Sequence, residues 1–222
     1  METVYTFLGQ LANNNNREWF QDHKKSYQES LGLVRDFASM ILDGITRFDP
    51  SVAGLDPKET IFRIYRDVRF SRDKAPYKTH FGCWMARGGR KSADAGYYFH
   101  VEPGNTFMAA GVHAPPPEIL KLIRQEILYH PAAYLAVINN PVIKEGYIRG
   151  GDDDKLKKGP AGFPNDFAYL DELKYKHYIF FKNYDETDVV QEGFPDQLVS
   201  DFRDLYPLVE YLNHAISFTG NE

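Results

Sequence analysis

The chain has 222 residues, an aromatic share of 15% and a formal net charge of −5 at neutral pH. That length suits one domain able to bury a sizeable core, and the acidity excludes a protein that wraps nucleic acid over its whole surface. A single cysteine, Cys83, excludes an intramolecular disulfide and a multi-cysteine metal centre.

The first fifty residues are patterned as helix. Val4, Phe7, Leu8 and Leu11 recur at helical spacing, and the asparagine run 13–16 supplies caps for a new start at Arg17. From Trp19 through Phe20, Tyr27, Leu31, Val34, Phe37, Ile41 and Ile45 the apolar stripe keeps a 3.6-residue period, which predicts one long helix with a break near Gly32. A loop follows at 49–57, and from Thr60 the period changes to two. Segment 60–67 is predicted as a strand in one sheet with strands 81–85, 97–102 and 106–112. Glu102-Pro-Gly-Asn105 reads as the turn of a hairpin, and the loop 87–96 as an antiparallel connection. Pro115, Pro116 and Pro117 end the last of these strands and open a helix. A shorter helix at 132–139, a polar connector at 150–164, a strand at 178–184 and a helix at 195–216 complete the chain. The predicted fold is a single α+β domain over 1–222. N-terminal helices at 1–48, a sheet-forming segment at 60–113, and helices with one strand at 117–217 make a mainly antiparallel sheet packed against amphipathic helices.

Charge is distributed unevenly. Residues 61–91 hold nine Lys/Arg and two Asp, a balance of +7, leaving 17 Lys/Arg and 29 Asp/Glu, or −12, for the rest of the chain. Such segregation points to an anionic partner at that segment. Arg63, Arg66, Arg69, Lys74 and Lys78 are the candidate ligand-binding cations, with the Ser71 hydroxyl completing a cradle and Tyr65 beside them. Arginine suits this role because its planar fork meets phosphate or carboxylate through two hydrogen bonds. Asp67, Tyr77 and His80 are the candidate acid–base groups.

The run from Arg63 to His80, preceded by Asn15-Asn-Arg-Glu-Trp-Phe20 with Lys24, Lys25 and Tyr27, resembles an uncharacterised domain-of-unknown-function family, DUF2461. Further matching elements are Gly96-Tyr-Tyr-Phe-His-Val-Glu-Pro-Gly104, the Ala109-Ala-Gly-Val112 strand and Leu156-Lys-Lys-Gly-Pro-Ala-Gly-Phe163, so the likeness spans nearly the whole chain. It departs at Asn165-Asp-Phe167, where an Asp-His-Pro-like turn is expected. The resemblance implies membership and no activity.

Three functional classes stay open. One is an enzyme acting on a phosphorylated or carboxylated small molecule, with Asp67 or His80 as base. The second is a non-catalytic module for nucleic acid or an acidic protein surface. The third is a structural protein whose arginines are internal ion-pair props. No cofactor and no metal are expected, because His80, His100 and His113 show no His–His pair at i, i+2 or i, i+4 spacing. No run approaches the ~20 apolar residues of a membrane helix, and the N-terminus shows neither a basic nor an apolar signal region. The expected compartment is the cytoplasm, with no membrane partner.

Overall fold

The computed structural model describes residues 1–217. Helices α1 (Glu2–Asn13), α2 (Arg17–Asp22), α3 (Lys24–Thr46) and the single-turn α4 (Pro57–Thr60) precede strands β1 (Phe81–Ala86), β2 (Gly96–Val101) and β3 (Thr106–Val112). Helices α5 (Pro117–Tyr129), α6 (Pro131–Ile138) and α7 (Pro141–Gly146) follow, then β4 (Ile148–Arg149), α8 (Leu170–Leu173), β5 (Tyr178–Tyr184), α9 (Glu186–Val189) and α10 (Phe194–Ser217). The five strands form one antiparallel sheet in the order β1-β2-β3-β5-β4. The fold is α+β.

Alternation along the strands sorts the side chains into two layers. Tyr97 and Phe99 of β2, Met108 and Ala110 of β3, and Phe180 of β5 are buried against the helices. Phe37 of α3 meets Phe99 at 5.2 Å between ring centroids, and Phe202 of α10 meets Tyr97 at 5.3 Å. These contacts explain why the stripes of α3 and α10 hold their helical period over the full length of each helix: they lie on the sheet. Gly44 lets those two helices close, since a β-carbon there would stand 2.4 Å from Val199. A buried polar knot ties α10 to β5 and α7. Asp201 accepts hydrogen bonds from Tyr184 at 2.6 Å and Lys182 at 2.9 Å, and the Tyr147 hydroxyl, just after α7, donates to Asp204 at 2.9 Å.

Two expectations are corrected. The helix across 17–48 breaks at His23, and Gly32 lies inside α3. His23 caps α2 with non-helical φ −105° and ψ 19°; its imidazole stacks on Trp19 at 4.0 Å and its Nδ1 lies 2.8 Å from the Trp19 carbonyl oxygen, which also accepts from the His23 N–H. The second correction concerns 60–67, which is not a strand of the sheet. Thr60 ends α4, capped by the Asp56 carboxylate, and only the isolated bridges Ile61–Cys83 and Tyr65–Tyr77 touch the segment. Its period of two reflects an extended chain folding back on itself: Arg66 N–H donates to the Pro76 carbonyl and Lys78 N–H to the Ile64 carbonyl. Ile61, Ile64 and Tyr77 enter the core from this turn-back, while Phe62 and Tyr65 remain exposed.

Candidate functional site

The basic segment forms a protruding loop, and much of its charge is matched within it. Arg66 pairs with Asp73 at 2.5 Å and Arg69 with Asp67 at 2.6 Å. Lys74 donates to the Val68 carbonyl. The paired Arg69 holds the Asp67 carboxyl below its ordinary value. Tyr77 is buried with its ring stacked on Phe20 at 3.9 Å, and Asn15 bonds both the N–H and the carbonyl of Tyr77. Arg63 and Tyr65 are exposed and Ser71 is half-buried along the same loop. Of the residues singled out in the sequence, the structure places Lys78 and His80 at a cavity.

That cavity is the face of the sheet opposite the helices. Its lining encloses about 930 Å³ and is mostly aromatic and aliphatic, with Trp84, Tyr98, Phe107, Ile179 and Phe181 as the floor. These side chains alternate with the buried row on the same strands, so an aromatic sequence built both the core and the cleft. Strand alternation across β2, β3 and β5 is the signal in the sequence that separates the two sets.

One end of the cleft is cationic. Phe62 lies between Lys78, 5.4 Å from its ring centroid, and Arg90, 5.6 Å away. Arg90 is steadied by a hydrogen bond to the Ile61 carbonyl. Burial, reinforced by Arg63 and Arg90, holds the Lys78 ammonium below the ordinary lysine pKa. Among the described residues no carboxylate pairs with Lys78.

Below this lip lies a cluster of His80, His100 and Glu102, whose ligand atoms all fall within 4.8 Å of one another. Tyr98, His100 and Glu102 succeed each other at i, i+2 and i+4, and so emerge on the cleft face. His80, immediately before β1, brings its ring to 4.2 Å from that of His100. His100 is stacked on Phe107, its partner across the β2–β3 ladder, at 4.7 Å. Tyr98 Oη lies 3.0 Å from His100 Nδ1, and His100 Nε2 lies 3.2 Å from Glu102 Oε2. Thr79 donates to Glu102 Oε1 at 2.5 Å and Asn105 to Oε2 at 3.0 Å. Burial, with the neighbouring His100, drives the His80 pKa down to about 4. Burial also lowers that of His100, against the opposing pull of Glu102. Burial alone would raise the Glu102 carboxyl, but the hydrogen bonds from Thr79, Asn105 and His100 outweigh it and hold the group below the usual glutamate range. Two neutral imidazoles therefore face one carboxylate at neutral pH.

Family comparison agrees with the motifs. The family described as conserved hypothetical protein (DUF2461) matches residues 3–211. The chain belongs to DUF2461. No curated protein and no solved structure matches it. Within this DUF2461 member, the motif at 62–80 gives the cleft Phe62, Lys78 and His80, and the 96–104 hairpin gives it Tyr98 and His100, with Glu102 against His100. His113, which the sequence set beside these histidines, lies near the opposite end of the cleft, stacked on His177 at 4.5 Å. Among the described residues no helix is long and apolar enough to cross a membrane.

Proposed function

We propose that the protein binds a small organic anion in the sheet cleft, with a carboxylate or phosphate at the Lys78–Arg90 lip and an apolar or aromatic body on Tyr98, Phe107 and Phe181. The observation that carries this reading is the union of an aromatic floor with unneutralised cations at one end of a cavity of about 930 Å³. Concave sites with a few convergent polar groups are where small ligands bind. An anion there offsets the burial, and the lesser repulsion from Arg63 and Arg90, that lower the Lys78 pKa. Arg66 and Arg69 are paired with Asp73 and Asp67, which supports a ligand contact in the cleft over one on the loop. A concave aromatic site also favours a small molecule over nucleic acid, which is met by a flat basic surface with exposed rings.

The test is a thermal-shift screen of aryl and alkyl carboxylates and phosphates, with single-stranded oligonucleotides alongside, followed by calorimetry on the hits. Lys78→Met and Arg90→Met are each expected to weaken a hit by roughly ten- to a hundredfold, the worth of one charge-assisted hydrogen bond. Arg69→Gln is expected to leave its Kd unchanged. Stabilisation by oligonucleotides that Arg69→Gln abolishes and Lys78→Met spares overturns the cleft reading.

A further inference from the structure

We propose that His80, His100 and Glu102 form a binding site for one divalent transition-metal ion, with its remaining coordination positions open to the cleft. Two imidazoles and one carboxylate are a ligand set used by zinc and by non-haem iron, and three protein ligands with open positions distinguish a reactive site from a structural one.

The geometry supports this in four ways. His100 Nε2 and Glu102 Oε2, 3.2 Å apart, have the spacing of two ligands on one metal: bonds of about 2.0–2.2 Å put neighbouring donors roughly 3.0–3.5 Å apart. His80 makes no hydrogen bond among the described residues, although its imidazole faces His100 at 4.2 Å. Its donor atom lies within 4.8 Å of the other two, so a small rotation of the ring completes the set. Outer contacts are also in place. The Tyr98 hydroxyl at His100 Nδ1 either donates or accepts, so it still pairs with the ring when Nε2 gives its lone pair to a metal and Nδ1 carries the proton. Thr79 and Asn105 fix both oxygens of Glu102, the kind of support that orients metal ligands. Finally, His80 and His100 line the same cleft as Lys78 and Arg90, so a cation held there stands beside the cationic lip. The ion then adds to the attraction for an anion at the same end of the cleft.

This inference does not rest on the anion reading, and its test uses metal alone. Untagged full-length protein is stripped with chelator, dialysed, and titrated with Zn²⁺ by calorimetry and with Co²⁺ by visible absorption. One equivalent per chain is expected, with Co²⁺ bands showing nitrogen and oxygen donors. His80→Gln and Glu102→Gln, both at partly exposed positions, are each expected to weaken binding by at least about a hundredfold while retaining the wild-type circular dichroism. Tyr98→Phe is expected to weaken it by roughly ten- to a hundredfold through the lost outer contact. His113→Gln, at the distant His113–His177 pair, is expected to leave it unchanged. No stoichiometric uptake by the wild type overturns the proposal, as does uptake that survives His80→Gln and Glu102→Gln or is lost in His113→Gln. Loss of anion binding with metal binding intact counts against the proposed function alone.

Discussion

Tyr98 occupies the space that a side chain at Gly82 would need: its hydroxyl stands 2.5 Å from the position of a β-carbon there, and two ring carbons stand at 3.0 Å. Gly82 faces His100 across the β1–β2 ladder, so the glycine is what allows the phenol to lie over the strand and reach His100 Nδ1. Gly82→Ala is expected to cost about 1–3 kcal/mol through overpacking, measured by denaturant unfolding, and to weaken Co²⁺ uptake because the ring is pushed off His100. Tyr98→Phe removes the nearest clashing atom, so the double variant is expected to be less destabilised than the sum of the singles. An additive result contradicts this account.

Gly111 is the position in the sheet least able to change. Its φ is +123°, and an added β-carbon would stand 2.0 Å from the Tyr178 carbonyl oxygen, a backbone atom that cannot step aside. Gly111→Ala is expected to destabilise by about 2–4 kcal/mol, combining left-handed strain with overpacking. A melting temperature within error of the wild type disproves it.

Cys83 is sealed between β1 and the helical layer, and burial pushes its thiol up to about 12. At pH 8 only on the order of one molecule in ten thousand carries the thiolate, the form that reacts. Iodoacetamide is expected to leave the native protein unmodified over hours and to alkylate it in denaturant. Stoichiometric labelling of the folded protein at pH 8 contradicts a sealed thiol.

Two carboxylates illustrate how burial decides the worth of a contact. Buried Asp201 takes hydrogen bonds from Tyr184 and Lys182, and Asp201→Ala is expected to cost about 2–4 kcal/mol because those two donors lose their acceptor. Asp67 pairs with Arg69 in the open, and Arg69→Gln is expected to leave the melting temperature unchanged, since water replaces the contact. Unfolding curves of both variants under one set of conditions compare them directly.

The long helices and the β2–β3 hairpin were legible because each carries its own periodicity and punctuation: the stripes of α3 and α10, and Pro103-Gly104 at the turn. Segment 60–67 has the alternation of a strand but not its partners. Alternation is a local property, whereas ladder pairing depends on what lies alongside, and here the chain turns back to pair Tyr65 with Tyr77. The +7 charge balance marked the right region and not the right residues. Asp67 and Asp73 are two to seven positions from the arginines they neutralise, and this cancellation depends on the fold of the loop. The cleft itself was hidden because Trp84, Tyr98, Phe107 and Phe181 are as apolar as the core beneath them. The His100–Glu102 spacing of two was visible; what the sequence lacked was the approach of His80, which comes from outside that strand.

Asn15 holds Tyr77 by two backbone hydrogen bonds, 62 positions away in the chain. The strip from Tyr77 to His80, which carries the cationic lip, is thereby moored to the start of α2, while the floor of the cleft is woven into the sheet. The same strip runs directly into β1 at Phe81, and Phe62 beside it donates its N–H to the Gly82 carbonyl of that strand. The cationic lip is therefore clamped from both sides, by the entry to the helices and by the edge of the sheet.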